Sequence, residues 1–322
     1  MTQPDTLLEP LLAELEAEFD GLQVVALGGG HGLAQALMAI QAYAGAITAI
    51  VSVADDGGSS GRLSPDLGIP PPGDLRRALV ALSPDDSVWK QLLEYRFESA
   101  DVSGHSLGNL VLAALADLSD FQAALDTAGR LLGARGAVVA VCEEALHLEA
   151  VIGGETIKGQ VAVATARGRL TELRLEPPGV PASDAALRAI SAAQQIVIGP
   201  GSLFTSTAAN LKVGGVAEAI NGSKAQLVYV CNLTTQDGET LGFDAYDHLD
   251  ALSDHAGLRW PDVVVAHEGD IDVPSGLQQV GIDTERIEER GGTVQLAHLV
   301  DPDGDWPQHE PGRLGAVLRR LA

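Results

Sequence analysis

The sequence predicts an α/β protein with a mostly parallel central sheet, because short apolar segments alternate with segments of helical periodicity. Residues 22–30 (LQVVALGGG) have the pattern of a strand and a turn, residues 32–43 (GLAQALMAIQAY) that of a helix, and residues 46–58 (AITAIVSVADDGG) that of a second strand and turn. Further strands follow helical segments at 195–202 (QIVIGPGS) and 225–232 (AQLVYVCN). This alternation is typical of βαβ units.

One segment between the two halves has a different pattern. Residues 146–178 alternate apolar and polar side chains between glycine turns and lack a helical signal, which predicts a small antiparallel excursion. Residues 1–20 have the pattern of an acidic amphipathic helix and are expected to form an N-terminal helical extension. We expect residues 21–322 to form a single α/β domain that carries the excursion at 146–178.

Composition restricts the partners of the chain. The formal net charge is −24, from 20 basic and 44 acidic residues, which opposes binding to nucleic acid or to anionic lipid. An anionic ligand would therefore need a pocket of backbone N–H groups and a few arginines. The two cysteines, the lack of a signal-peptide pattern and the lack of an apolar run of 18 residues predict a cytoplasmic protein without membrane insertion.

The first candidate ligand loop is Gly28-Gly29-Gly30-His31-Gly32, between a predicted strand and a predicted helix. Glycines at this place let the backbone approach a phosphate, and the helix N-terminus adds N–H donors. The motif departs from the dinucleotide fingerprint G-x-G-x-x-G, since Leu33 stands where its last glycine would be. A turn that only requires positive φ angles would also use glycines, and His31 could cap that turn instead of contacting a ligand.

The second loop, residues 54–62 (ADDGGSSGR), follows the next predicted strand. Asp55 and Asp56 could accept hydrogen bonds from a ribose or hold Mg²⁺, the one cofactor that the sequence suggests. Ser59 and the glycines would add donors, and Arg62 a positive charge. A solvated polar turn is the alternative, although such a turn rarely needs three glycines, two serines and an arginine.

Two further loops precede predicted helices. In residues 70–77 (PPPGDLRR), Gly73 and Asp74 lead into a helix whose first turn carries two arginines, a position that favours a nearby anion. Asp74 is equally suited to be an N-cap. In residues 103–109 (SGHSLGN), His105 and Asn109 would share a helix face. A structural hydrogen bond is the alternative to a general base or metal ligand at His105.

The last two loops belong to the second half of the chain. Residues 199–206 (GPGSLFTS) follow a predicted strand and resemble a second phosphate or sugar cradle, and residues 231–240 (CNLTTQDGET) follow the next strand. Each loop alone is a weak signal. Because all of them follow or adjoin apolar strands, they are expected to meet at the carboxyl edge of the sheet, where open α/β folds bind ligands.

Together these loops resemble the CofD/YvcK family, and most closely its YvcK branch of gluconeogenesis factors. The resemblance covers residues from about 23 to the C-terminal end and rests on LGGGHGL (27–33), SVADDGGSSGRL (52–63), PPGDLRRALVAL (71–82), GHSLGNLVLAAL (104–115), IGPGSLFTS (198–206) and CNLTTQDGET (231–240). It implies a Rossmann-like three-layer fold in the cytoplasm. Two departures concern ligand choice: His267-Glu268-Gly269 stands where many relatives have an Asn, and Gln308-His309-Glu310 stands where relatives often have Arg-His-Asp.

The resemblance also implies a ligand class and two alternative functions. The YvcK branch is associated with binding UDP-N-acetylglucosamine and with cell shape and wall synthesis during gluconeogenic growth. The CofD branch contains Mg²⁺-dependent 2-phospho-L-lactate transferases of coenzyme F420 synthesis. The implied ligand-binding residues are Gly29, Gly30, His31, Gly32, Asp55, Asp56, Ser59, Arg62, Gly73, Asp74, His105, Asn109, Gly201, Ser202, Thr205 and Asn232.

The residues favour a regulatory binder of a UDP-sugar over an enzyme, because no nucleophile stands beside a base in the sequence. A transferase needs mainly placement and charge neutralisation, so it stays open as the alternative. A dehydrogenase is least favoured, since the glycine fingerprint is incomplete. We also expect a homo-oligomer, although no sequence feature defines its interface.

Overall fold

The computed structural model describes residues 21–99 and 101–322. It has a seven-stranded parallel sheet with helices around it and a separate three-stranded antiparallel sheet, which confirms the predicted fold class. The helical extension predicted for residues 1–20 lies outside the described residues. The single-domain division stays a prediction.

The strands bear out the alternation predicted from the sequence. Each apolar run forms one strand, and each strand of the large sheet is short. In chain order the strands are β1 (Gln23–Gly28), β2 (Ala46–Val51), β3 (Ala137–Ala140), β4 (His147–Ile152), β5 (Glu155–Lys158), β6 (Leu170–Glu176), β7 (Gln195–Ile198), β8 (Gln226–Val230), β9 (Val263–His267) and β10 (Thr293–Ala297).

The helices connect these strands and cover the large sheet. They are α1 (Gly30–Ile40), α2 (Gly58–Leu67), α3 (Pro72–Ala81), α4 (Val88–Glu94), α5 (Leu107–Leu118), α6 (Phe121–Leu132), α7 (Gln160–Thr165), α8 (Asp184–Ala192), α9 (Ala209–Leu211), α10 (Val216–Gly222), α11 (Ala245–Ala256), α12 (Thr284–Glu288) and α13 (Pro311–Leu321). A π-helical turn, Leu203–Ala208, runs directly into α9. Within the described ranges, no helix is both long and apolar enough to span a membrane.

The strand order of the large sheet fixes where a ligand can bind. The order is β10-β9-β8-β7-β1-β2-β3, and all neighbouring pairs are parallel. From β1 the following strands β2 and β3 extend the sheet toward one edge, and from β7 the strands β8, β9 and β10 extend it toward the other. The loops that follow β1 and β7 lie against each other at the carboxyl ends of these strands and border a crevice there, which is the ligand position of open α/β sheets.

The core of the large sheet consists of aliphatic side chains buried on both faces. Val24 to Leu27 in β1 and Val264 to Ala266 in β9 are at most 2% exposed. Parallel strands covered by helices on both faces are expected to be apolar throughout rather than alternating. The large sheet thus provides a rigid base for the loops at its edge.

The antiparallel sheet confirms the excursion predicted between the two halves. β4 pairs with β5 on one side and with β6 on the other. Its Leu148, Ala150 and Ile152 are buried, while the residues between them are more exposed, as expected for a sheet with one covered face. Helix α7 lies between β5 and β6 and brings this sheet close to the loop after β2.

Close packing of α13 on α1 generates a first prediction. A Cβ atom added at Gly315 in α13 would lie 2.7 Å from the backbone carbonyl oxygen of Ala39 in α1, and a backbone atom cannot move aside cheaply. Gly315→Ala should therefore lower the free energy of unfolding by about 1–2 kcal/mol net, since overpacking outweighs the ~1 kcal/mol that Ala gains as a helix former. Urea denaturation measures this.

Gly222→Ala is the matched control for that prediction. Gly222 ends α10 without a positive φ, and a Cβ there meets nothing within 4 Å. This variant should be neutral or slightly more stable. Equal stability of the two variants would contradict the tight packing of α13 on α1.

Candidate functional site

A cavity of about 900 Å³ opens at the carboxyl edge of the large sheet, between the loops that follow β1 and β7. The loop after β8, residues 274–277 and residues 306–309 complete its walls. Seven of the residues predicted from the sequence line it: Gly29, Gly30, His31, Gly32, Gly201, Ser202 and Asn232. The other nine do not line it: Asp55, Asp56, Ser59, Arg62, Gly73, Asp74, His105, Asn109 and Thr205.

The glycine turn after β1 is packed so closely that side chains do not fit. A Cβ at Gly29 would lie 2.5 Å from the Asp74 carboxylate, and one at Gly32 would collide with the backbone carbonyl of Pro200. Gly30 has a φ of 65°, a conformation that favours glycine. The turn leads into α1, which has no acidic residue in its first turn and no side-chain cap. Its N-terminal N–H groups suit an anionic ligand.

Two cationic side chains affect His31 in this turn. Burial lowers the pKa of His31, and the positive charges of Arg77 and Arg76 lower it further. The imidazole is therefore neutral at physiological pH. The arginines place positive charge next to the glycine turn in a chain that is strongly acidic overall.

The loop after β8 holds the loop after β7 in place at three points. Asn232 accepts from the Gly201 N–H and donates to the Gly201 carbonyl, both at 2.8 Å. The Gln236 amide donates to Ser202 Oγ at 3.1 Å. Glu239 accepts from the Phe204 N–H at 2.9 Å and from Thr205 Oγ1 at 2.7 Å.

Glu239 thus caps the N-terminal end of the π-helical turn. Its carboxylate satisfies backbone N–H groups that would otherwise lack partners. Burial raises the pKa of Glu239, while the bonds from Thr205 and Phe204 oppose that rise. Because π-helical turns often occur at functional sites, this cap is a feature of the site that the sequence does not indicate.

A second group of predicted residues lies behind the glycine turn rather than in the cavity wall. A Cβ at Gly73 would lie 2.6 Å from the Asp55 carboxylate, so Asp55 approaches the backbone at the start of α3. Asp74 is 5% exposed and pairs with Arg77 at 2.7 Å. Burial raises the pKa of Asp74 and the negative charge of Asp55 raises it further, while Arg77 and the Gly30 N–H lower it.

Asp56 has a different environment from Asp55. Its two carboxylate oxygens accept from the Gln160 and Val161 N–H groups at 2.8 and 2.9 Å. Asp56 therefore caps α7 and joins the antiparallel sheet to the loop after β2. The Arg62 guanidinium likewise bonds to protein, donating to the Ser103 carbonyl at 2.7 Å.

The structure brings a hydroxyl and an imidazole together that are far apart in the sequence. Ser59 Oγ lies 2.9 Å from His105 Nδ1, and both residues are buried. The structure thus places a hydroxyl beside an imidazole, a pair that the sequence did not indicate. Asn109 in turn accepts from Arg76 Nε at 3.0 Å, which holds a buried guanidinium next to the site.

Among the residues that the structure describes, no three His, Cys, Asp or Glu side chains are grouped to hold a metal ion. Mg²⁺ usually needs only one or two carboxylates because phosphates and water complete its shell. Asp56 fits poorly, since both of its oxygens accept from α7. Asp55 and Asp74 fit better, because their charges interact and Asp74 adjoins Gly29 of the glycine turn.

Several residues of the cavity wall are not evident from motifs. Gln35 on α1 donates weakly to Gln308 at 3.4 Å, and Trp306 is 53% exposed. His309 also lines the cavity, as does Gln236, which belongs to the motif CNLTTQDGET (231–240). Trp306 and His309 stand in a polar C-terminal segment without strong periodicity, and only the departure at 308–310 from the family pattern could have drawn attention to them.

Comparisons with known proteins agree with this architecture. A family model described as 2-phospho-L-lactate transferase CofD matches residues 24–300. A protein of Halalkalibacterium halodurans named gluconeogenesis factor is 43% identical over 306 residues, which cover 92% of this chain and 95% of that protein.

Two further matches extend over both halves of the fold. A Mycobacterium tuberculosis protein, whose name assigns it provisionally to the gluconeogenesis factors, is 42% identical over 311 residues, covering 92% of this chain and 89% of that protein. A crystal structure of a Bacillus halodurans protein matches with a TM-score of 0.88 and 37% identity, covering 92% of this chain and 99% of that chain.

The raised pKa of Asp74 predicts how the thermal stability of the protein depends on pH. A carboxyl whose pKa is higher in the folded than in the unfolded protein stabilises the fold below the unfolded pKa of about 3.9, and this contribution is lost as pH rises through the folded pKa. Asp74→Asn cannot ionise and keeps an oxygen for the Gly30 N–H. Its melting temperature should exceed that of the wild type at pH 7, and the difference should shrink toward pH 4.

Thermal unfolding of both proteins between pH 4 and 8 tests this. Arg77 loses its ion pair in the variant but is partly exposed, so water can solvate it. If Asp74→Asn melts below the wild type at pH 7, the ion pair with Arg77 outweighs the cost of burying the Asp74 carboxylate, and this prediction is wrong.

Proposed function

This chain belongs to the CofD family, and from that premise we propose that it binds a nucleoside diphosphate sugar, UDP-N-acetylglucosamine, in the cavity between the loops after β1 and β7. The diphosphate would lie at the glycine turn, and the remainder of the ligand would extend along the wall formed by residues 232–237, 274–277 and 306–309. The protein would act as a regulatory binder of this ligand.

One observation carries the proposal: the cavity combines a phosphate-binding type of turn with polar side chains that lack partners. The turn has closely packed backbone, a helix N-terminus without an acidic residue in its own first turn, and nearby arginines. Gln35, Gln236 and His309 in the wall each have a buried polar atom without a hydrogen-bond partner. A volume of about 900 Å³ lies within the range of small-molecule sites.

The cellular role is part of the same proposal, and the name of a relative supports its gluconeogenic part. The Halalkalibacterium halodurans relative is named a gluconeogenesis factor. We propose that ligand binding by this chain supports cell shape and wall synthesis during growth on gluconeogenic carbon sources. Loss of the gene should then affect cell shape on such carbon sources and leave it normal on glucose.

A second candidate is an Mg²⁺-dependent 2-phospho-L-lactate transferase. The interacting carboxylates of Asp55 and Asp74, of which Asp74 lies beside the glycine turn, favour it, together with the description of the matching family model. Mg²⁺ would neutralise phosphate charge there. Asp55 and Asp74 would hold the ion, and the glycine turn would orient the diphosphate.

Isothermal titration calorimetry tests the first candidate. The wild type should bind UDP-N-acetylglucosamine, and Asn232→Ala should weaken this binding by about fivefold or more, because the bonds that hold Gly201 in the cavity wall are worth ~1–3 kcal/mol. Asn221→Ala is the matched control. Asn221 also bonds two backbone groups, those of Gly257 and Arg259, but lies outside the cavity.

The control variant should bind as the wild type does. Absence of heat and of thermal stabilisation at millimolar ligand would refute the proposal. Equal weakening by both variants would show that Asn232 acts only through overall stability.

Mass spectrometry separates the two candidates. The protein is incubated with Mg²⁺, the deazaflavin acceptor Fo and the guanosine diphosphate-activated phospholactyl donor. We expect the acceptor to stay unmodified. Formation of the phospholactyl product, lost in Asp55→Asn, would establish the transferase instead.

A further inference from the structure

Buried polar atoms without partners are concentrated at the cavity. Five buried side-chain nitrogen or oxygen atoms of the described residues have no hydrogen-bond partner, and three of them belong to residues of the cavity wall. These three are Gln35 Oε1, Gln236 Oε1 and His309 Nε2. All three atoms are buried when no ligand is bound, so each side chain must rotate to turn its atom toward the cavity. Since native proteins leave few such atoms unpaired, their concentration at one cavity points to a ligand that supplies the missing partners.

His309 is the most constrained of the three residues. It is 4% exposed, and its backbone forms an antiparallel bridge with Val300 that fixes the segment leading into α13. Burial lowers the pKa of His309 to about 4, and the charge of the nearby His267 acts in the same direction. The ring is therefore neutral at physiological pH and presents hydrogen-bonding capacity without charge.

We infer that His309, Gln35 and Gln236 form an uncharged polar wall that hydrogen-bonds the hydroxyl and amide groups of the hexose in the bound nucleotide sugar. This inference rests on the proposed function and adds which part of the ligand this wall recognises. It makes His309 a residue that distinguishes a nucleotide sugar from the bare nucleotide.

The chemistry of the wall favours a sugar over the other parts of the ligand. A diphosphate is best held by backbone N–H groups and positive charge, which the glycine turn and Arg77 provide. A planar base is best held by an aromatic face, and Trp306 presents one in the same cavity. Neutral amide and imidazole groups suit hydroxyls, which both donate and accept.

Calorimetric titration of two ligands on matched variants tests the inference. UDP and UDP-N-acetylglucosamine share the nucleotide and differ in the hexose. His309→Leu removes the polar ring at similar volume and should weaken UDP-N-acetylglucosamine binding about tenfold while leaving UDP binding unchanged. His309→Gln, which keeps a polar group, should lose less affinity for the nucleotide sugar.

His248→Leu is the control. His248 is fully buried and also has an unpaired Nε2, yet it lies on α11 and does not line the cavity. This variant loses the 2.7 Å contact of Nδ1 with the Asp244 carbonyl, so its stability should fall while its affinity for both ligands stays that of the wild type. Thermal unfolding of each variant confirms that it is folded.

The outcomes separate this inference from the proposed function. If His309→Leu weakens UDP and UDP-N-acetylglucosamine equally, His309 contacts the nucleotide and the inference is overturned, while the proposed function stands. Unchanged affinity for both ligands overturns it too. If the wild type binds neither ligand, the proposed function itself has failed.

Discussion

The close approach of the turn after β1 to the loop after β7 is the constraint on which the site depends. Gly32 lies directly against the backbone carbonyl of Pro200, so that no side chain could stand between them. This contact occurs where the strand order reverses between β1 and β7. It fixes the width of the crevice and directs the N-terminus of α1 toward it.

Several groups at and behind the cavity lower the free energy of unfolding. Asp74 is a buried carboxylate beside Asp55, and Arg76 is a buried guanidinium held by the side chain of Asn109. Three polar side chains of the cavity wall keep unpaired atoms. Groups of this kind are typical of binding sites, because a ligand rather than the protein completes their interactions.

The sequence predicted the strands and the location of the site at the carboxyl edge of the sheet. It did not predict which residues contact each other there. Apolar runs located the strands of the large sheet, and period-two alternation at 146–178 located the antiparallel sheet, because both patterns reflect local burial. Glycines at 29–32 indicated a close turn. Spacing along the chain could not show that Asp56 caps α7, that Ser59 meets His105, or that Glu239 caps the π-helical turn, since each contact joins distant segments.

We propose that the crevice between β1 and β7 holds a nucleotide sugar with its diphosphate at the glycine turn. A crystal structure of the protein with UDP-N-acetylglucosamine tests this most directly. We expect diphosphate oxygens within hydrogen-bonding distance of the N–H groups of residues 31 and 32, and the hexose beside His309. Ligand density in the neighbouring cavity lined by Arg169, Phe204 and Asp254, with the crevice free of ligand, would contradict it.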